Sequence, residues 1–132
     1  NRGAGATRRF NSYLRARLAE FEGRPDELVV QLKAALSHPP PIFAFDTFED
    51  ALGQAYLRVG RVPEAIAEFE RVLRLNPRYA SARLGLAQAR ERAGELAAAR
   101  QEYAAFLQIW RGADADAPAL LEARRRLDAL SE

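Results

Sequence analysis

The amino-acid sequence predicts an all-α fold, a short helical-repeat solenoid of three helix–turn–helix pairs followed by a C-terminal capping helix. Three observations support this prediction. Alanine, leucine, arginine and glutamate, all good helix formers, dominate a composition that is 48% apolar and 29% charged. Valine and isoleucine are few and scattered, and no strand-like alternation is longer than three or four residues. A 34-residue period also runs through residues 46–113.

The period is seen when residues 46–79 are laid over residues 80–113. Size and polarity agree at six pairs of positions: Leu52 with Leu86, Gly53 with Ala87, Gly60 with Gly94, Ala65 with Ala99, Phe69 with Tyr103, and Val72 with Phe106. The large apolar residues supply the faces of two antiparallel helices, and the small residues let those helices approach closely. The glycine pair falls where the first helix must end, because glycine accepts the left-handed conformation of such turns.

A degenerate copy precedes these two. Residues 23–40 parallel residues 60–77 position by position when Gly23 is taken as the turn glycine. The glycine spacing is 37 here, so three extra residues are expected in the connection 37–45. The preceding helix, expected over about 7–22, has a better apolar stripe if its register is shifted by one position. That stripe consists of Phe10, Leu14, Leu18 and Phe21.

The last element is a predicted capping helix over about 117–130. Asp116 followed by Pro118 is a helix-start signal. An open solenoid needs such a helix to cover the apolar face of its final repeat. The covering stripe would consist of Leu120, Leu121, Ala123, Leu127 and Leu130.

The expected domain extends over residues 7–131. The chain has no methionine and begins with Asn1, which indicates a piece of a longer protein with residues 1–6 as a linker or tail remnant. The predicted repeats cover about 9–42, 46–79 and 80–113.

The segment LGQAYLRVGRVPEAIAEFERVLRLNP (52–77) resembles a tetratricopeptide repeat, although Glu49 stands where the usual tryptophan would be. The resemblance extends over about 9–131 and implies a right-handed solenoid whose first helices line a concave groove for a peptide or a partner helix. Residues 106–130 also resemble the end of tetratricopeptide regions appended to multidomain bacterial proteins such as serine/threonine kinases.

Repeat position assigns nine residues to the predicted groove: Tyr13, Arg17, Thr47, Asp50, Gln54, Arg58, Ser81, Gln88 and Arg92. They combine uncharged donors with arginines, which suits an acidic ligand or a C-terminal carboxylate. Family members that bind chaperone tails use a lysine/asparagine clamp at set groove positions. Those positions hold Tyr13, Arg17, Ala51, Ser81 and Gly85 in this sequence. The sequence therefore predicts no binding to chaperone C-terminal tails.

Other classes of function are not expected. The chain has no cysteine and a single histidine, His38, so no metal site, cofactor or catalytic constellation is predicted. No apolar run is long enough to span a membrane, and nothing resembles a signal peptide, which favours a cytoplasmic over a periplasmic location. Residues 1–17 carry five arginines and no acid, but they lack the continuous basic face and stacking groups of a nucleic-acid interface.

The sequence thus predicts a non-enzymatic protein–protein interaction module that binds a peptide or helix of a partner in its concave groove. The alternative is a structural or dimerisation module that packs against its parent protein or against itself.

Overall fold

A computed structural model describes residues 2–38, 49–111 and 117–132. All regular secondary structure in these ranges is helical, as predicted. The chain divides into two compact units, Asn1–Arg61 and Val62–Glu132. The first unit contains α1 (Arg2–Phe21), α2 (Pro25–Leu36) and α3 (Ala51–Arg58). The second contains α4 (Val62–Leu75), α5 (Ala80–Arg92), α6 (Leu96–Ile109) and α7 (Pro118–Leu130).

Helix α1 begins earlier than the sequence predicts. Its first residue is Arg2, so residues 2–6 are helical, and the linker expected over 1–6 is corrected at these positions. Glycine in a helix interior costs only about 1 kcal/mol relative to alanine. Because no proline interrupts the segment, the two glycines weaken this first turn without ending the helix.

The buried face of α1 agrees with the register obtained by alignment on Gly23. The alternative register, shifted by one position, is wrong. The face of α1 that is buried against α2 carries Ser12, Ala16 and Ala19. The large side chains that favoured the shift lie on the exposed side of the helix: Phe10, Leu14, Leu18 and Phe21. Small residues are buried here because they allow α1 to pack closely against the buried leucines of α2.

The first helix of each predicted repeat ends in the same backbone motif. Gly23, Gly60 and Gly94 have positive φ angles of 69°, 82° and 80°. In the third copy the amide of Gly94 donates to the carbonyl of Glu91 at 3.0 Å, and that of Glu95 donates to Arg90 at 2.9 Å. This pair of hydrogen bonds defines a Schellman motif, which satisfies carbonyls that the helix leaves without partners.

A buried arginine connects the elements of the first unit. Arg9 on α1 donates to the carbonyls of Ala35 at 3.2 Å and His38 at 2.7 Å, and to a carboxylate oxygen of Glu49 at 2.7 Å. Its side chain is only 4% exposed. Arg9 therefore joins α1 to the end of α2 and to the residues just before α3. The residues between them, 39–48, lie outside the described residues and include most of the connection in which three extra residues are expected.

The second unit has an apolar core built from α5, α6 and α7. The buried residues of this core are Ala87, Ala99, Tyr103, Phe106, Leu120 and Ala123. Helix α7 packs on α6 and covers the last helix pair, as the sequence predicts of a capping helix. The covering stripe is narrower than predicted, because Leu121 is exposed.

A polar cluster at the edge of this core joins the same three helices. The hydroxyl of Tyr103 on α6 donates to Glu91 of α5 at 3.0 Å, and Nε of Arg126 on α7 donates to the same oxygen at 3.1 Å. Partial burial raises the pKa of the Glu91 carboxyl, but hydrogen bonds from Arg126 and Tyr103 outweigh it and hold that pKa below its ordinary value. Burial and the bond to Glu91 raise the pKa of Tyr103 far above its usual range.

The Schellman motif predicts the effect of Gly94→Ala. A methyl group at Gly94 would meet no atom within 4 Å, so the cost is that of the left-handed backbone, about 1–2 kcal/mol. Urea unfolding measures the resulting loss in the free energy of unfolding. The variant Gly94→Asn should lose less of this free energy than Gly94→Ala, because asparagine tolerates the left-handed conformation better than alanine. Gly5→Ala in the helical part of α1 is the control, which should be neutral or stabilising. An unchanged unfolding midpoint for Gly94→Ala would contradict the assignment.

The Glu91 cluster predicts a pH-dependent effect of Glu91→Gln. Since the folded pKa of Glu91 is depressed below 4.5, its contribution to stability is present above about pH 4.5 and is lost as the pH falls through the folded value. At pH 7 the variant should melt a few degrees below the parent protein. This difference should shrink in acid. Glu122→Gln, in an exposed pair with Arg125, is the control. An equal difference at pH 7 and pH 3 would exclude the proposed ionic role.

Candidate functional site

A cleft of about 350 Å³ lies among α1, α2 and α3 of the first unit. Residues of α1 and of α3 and its preceding turn form its polar walls, and Leu28 and Leu32 of α2 form an apolar floor. The polar lining residues are Tyr13, Arg17, Glu20, Asp50, Gln54 and Arg58. This volume is at the small end of the range for ligand pockets, and the combination of an apolar floor with a few polar groups is typical of them.

Five of the nine residues assigned to the groove by repeat position are brought together in this cleft. They are Tyr13, Arg17, Asp50, Gln54 and Arg58. Arg17 and Arg58 are exposed, Tyr13 and Gln54 are partly buried, and Asp50 is buried. The segment after Gly23 reverses the chain, so that α2 lies beside α1 and places its leucines under these polar groups.

Three of the other four residues are not part of this cleft. Ser81, Gln88 and Arg92 belong to α5 in the second unit. Their spacing of seven and four residues places them on one face of that helix. Ser81 and Arg92 are exposed, and Gln88 is partly buried. Thr47 lies outside the described residues.

Glu20 is a charged residue of the cleft lining that repeat position did not assign to the groove. One of its carboxylate oxygens accepts a hydrogen bond from Arg58 at 2.7 Å, and the other accepts one from Arg17. The carboxylate therefore bridges the two arginines. Counting Asp50, the lining carries two positive and two negative groups. The charges of the described lining thus balance, although the prediction from sequence stressed its arginines.

The signal that could have identified Glu20 is its spacing from Arg17. Residues three apart on a helix are neighbours, so a Glu20–Arg17 pair is expected on α1. The pair with Arg58 could not be read in the same way, because it joins residues 38 positions apart.

The second unit has a further shallow cleft of about 330 Å³ along α4, α5 and α6. Ion pairs cross it between Arg83 and Glu102 at 2.9 Å and between Arg90 and Glu70 at 2.6 Å. Both pairs connect neighbouring helices and have an obvious structural role. This cleft contains none of the residues assigned to the groove by repeat position.

Within the described ranges, no group of three or more acidic or histidine side chains is arranged to hold a metal ion. None of the helices in these ranges is long and apolar enough to cross a membrane.

Comparison with known families identifies the repeat. Residues 51–118 match the sequence profile described as "Tetratricopeptide repeat". This match covers just over half of the 132 residues. The chain belongs to the tetratricopeptide repeat family. The recognition of this family from residues 52–77 is therefore confirmed. Tetratricopeptide repeats are protein-interaction scaffolds built from pairs of helices.

One curated relative of this repeat chain is the tetratricopeptide repeat and J domain-containing co-chaperone DNJ1 of Fusarium oxysporum f. sp. lycopersici. The two sequences are 36% identical over 81 residues. The alignment covers 61% of this chain but only 15% of the relative. The similarity is thus confined to a small part of the co-chaperone.

Three solved structures illustrate the similarity of fold. The first tetratricopeptide domain of Spaghetti (RPAP3), bound to the HSP90 peptide SRMEEVD, has a TM-score of 0.73 and 18% identity, covering 96% of this chain and 98% of that one. PcrH from Pseudomonas aeruginosa has a TM-score of 0.78 and 13% identity, with 94% and 92% coverage. The TPR2B domain of yeast Sti1 in its pHsp70 complex has a TM-score of 0.76 and 16% identity, with 95% and 97% coverage. The predicted all-α helical-repeat class is therefore confirmed.

Proposed function

We propose that this chain is a protein-interaction module that binds a peptide or helix of a partner in the cleft of its first unit. The observation that carries the proposal is the convergence of five residues, chosen by repeat position alone, around the apolar floor formed by Leu28 and Leu32. Membership of a family of interaction scaffolds supports the same function. No catalytic activity and no cofactor are expected of the module.

The lining defines the ligand chemistry. The floor of the cleft suits one apolar side chain of the ligand. Arg17 and Arg58 suit a carboxylate, from an acidic side chain or a C-terminus, which would replace the carboxylate of Glu20. Their side chains are 60% and 55% exposed, so both can reorient toward a ligand without leaving water. Gln54, which lies on α3 with Arg58, adds an uncharged hydrogen-bond donor.

Chaperone tails are not the expected ligands, although similar folds bind them in RPAP3 and Sti1. The lysine/asparagine clamp positions hold Tyr13, Arg17, Ala51, Ser81 and Gly85. Of these five residues, Gly85 is buried and Ala51 is partly buried. Neither can donate a side-chain hydrogen bond to a terminal carboxylate. The peptide SRMEEVD should therefore bind far more weakly than acidic peptides selected for this cleft.

The cleft predicts the effect of Arg58→Gln on peptide binding. The whole chain is used to probe an array of randomised dodecapeptides. The peptides that bind it should be enriched in Asp and Glu. Affinity for the selected peptides should fall about tenfold in the variant, because one of the two carboxylate donors is lost. Arg125→Gln is the matched control, since Arg125 is also exposed and paired with a glutamate. Equal affinities of the two variants would place the binding site elsewhere.

Glu20→Gln is predicted to have the opposite effect. An amide cannot pair with the arginines as a carboxylate does, so a ligand carboxylate would no longer compete with an internal one. Affinity for the same acidic peptides should rise about tenfold, measured by fluorescence anisotropy. Glu22→Gln, which breaks the exposed pair of Glu22 with Arg24, is the control. Weaker binding by Glu20→Gln would show that Glu20 orients the arginines and does not occupy them.

A further inference from the structure

The outer face of α1 carries a row of large apolar side chains in contact with water. Phe10, Leu14, Leu18 and Phe21 are 59%, 49%, 52% and 91% exposed. Their spacing of four, four and three residues aligns them along one side of the helix. Together they expose on the order of 500 Å² of side-chain surface, a size at which patches on monomers are often functional. We call these four residues the α1 stripe.

The other repeats differ at the equivalent positions. Aligned on the turn glycines, Leu14 and Leu18 correspond to Ala51 and Ala55 in the second repeat and to Gly85 and Ala89 in the third. Ala55, Gly85 and Ala89 are buried. Helices α3 and α5, which carry these small residues, each pack against the helix before them in the chain. The first repeat instead places leucines where no described helix precedes it.

The charges along the stripe indicate what would bind there. Arg8 and Arg15, seven residues apart, follow one edge of the stripe, and Arg17 lies on the other. Neither Arg8 nor Arg15 forms an ion pair with any residue in the described ranges. The acidic residues at the end of α1 are already paired, Glu22 with Arg24 and Glu20 with two arginines. The edge that carries Arg8 and Arg15 therefore has positive charge that no acid in the described ranges neutralises.

A second copy of the chain fits this surface poorly. Two stripes packed antiparallel about a twofold axis would bring Arg15 close to its symmetry mate and Arg17 close to its own. Like charges directly opposite each other are unfavourable in such helix pairs. A helix with acidic residues beside its apolar row would instead meet each basic edge with an opposite charge.

We propose that the α1 stripe is a docking surface for an amphipathic helix of a partner protein, one whose apolar row is flanked by glutamate or aspartate. The apolar rows of the two helices pack together and remove the exposed phenylalanines and leucines from water. The acidic flanks of the partner pair with Arg8 and Arg15 and set its orientation and specificity. The proposal does not depend on ligand binding in the cleft.

The test uses two synthetic 18-residue helical peptides with leucines at the spacing of the stripe. One peptide has glutamates beside the leucines, and the other has lysines at the same places. Fluorescence anisotropy with the whole chain should show binding of the acidic peptide, at least about tenfold tighter than that of the basic one. Equal affinity for both peptides, or no binding of either at millimolar concentration, would overturn the proposal.

Variants locate the surface. Leu14→Gln with Leu18→Gln should lower the affinity for the acidic peptide at least about tenfold, since two apolar contacts are lost. Both side chains are half exposed, so the fold should persist, as checked by circular dichroism. Leu96→Gln with Leu121→Gln is the matched control, with side chains 50% and 51% exposed. Arg8→Glu with Arg15→Glu should reverse the preference between the two peptides.

Two further results decide between this surface and its competitors. Arg58→Gln should leave binding of the helical peptide unchanged, because Arg58 belongs to the cleft; loss of binding in this variant would assign the peptide to the cleft and overturn the proposal. Sedimentation equilibrium of the chain alone should give a mass near 14.7 kDa. A dimer that dissociates on the Leu14/Leu18 double substitution would overturn the proposal in favour of a second copy.

Discussion

The left-handed glycine turn is the constraint on which the rest of the structure depends. Each Schellman motif ends its helix within one residue, and the next helix begins two residues after the glycine, at Pro25, Val62 and Leu96. Such a short connection holds α1 against α2, and α5 against α6. Close approach then limits the facing positions to small side chains, which is why Ala16, Ala19, Ala87 and Ala99 are fully buried.

This constraint explains what could and what could not be predicted from the sequence. The turn glycines, the helix order and the capping helix follow from spacing and helix propensity, and the structure has them all. The register of α1 did not follow, because hydrophobic periodicity assumes that large apolar residues face inward. In α1 the buried face is built from alanine and serine, and the large residues lie outside. The alanines are only weakly hydrophobic, so their periodicity is obscured by that of the two leucines and two phenylalanines on the other face.

The candidate site, too, could be predicted from the sequence only in part. Repeat position fixes where a residue lies along its helix, and five of the nine residues it selected line one cleft: Tyr13, Arg17, Asp50, Gln54 and Arg58. It does not determine which side chains pair across helices. Glu20 and Glu91 occupy equivalent repeat positions, yet Glu20 bridges two arginines in the cleft whereas Glu91 joins α5 to Tyr103 and Arg126. The same residue type at the same position thus serves two roles, because the partners come from distant parts of the chain.

The α1 stripe is not explained by folding. Packing of α1 on α2 is achieved by residues on its opposite face, and Phe21, at 91% exposure, buries almost nothing in the described fold. Exposed apolar rows favour aggregation, so their presence requires a compensating use. Alanine or glutamate at these positions would serve the helix at least as well. The second and third repeats have alanine or glycine at the two central positions and polar residues at the outer ones, Thr47, Arg58, Ser81 and Arg92. The departure of the first repeat from that pattern is therefore best explained by a partner that covers it.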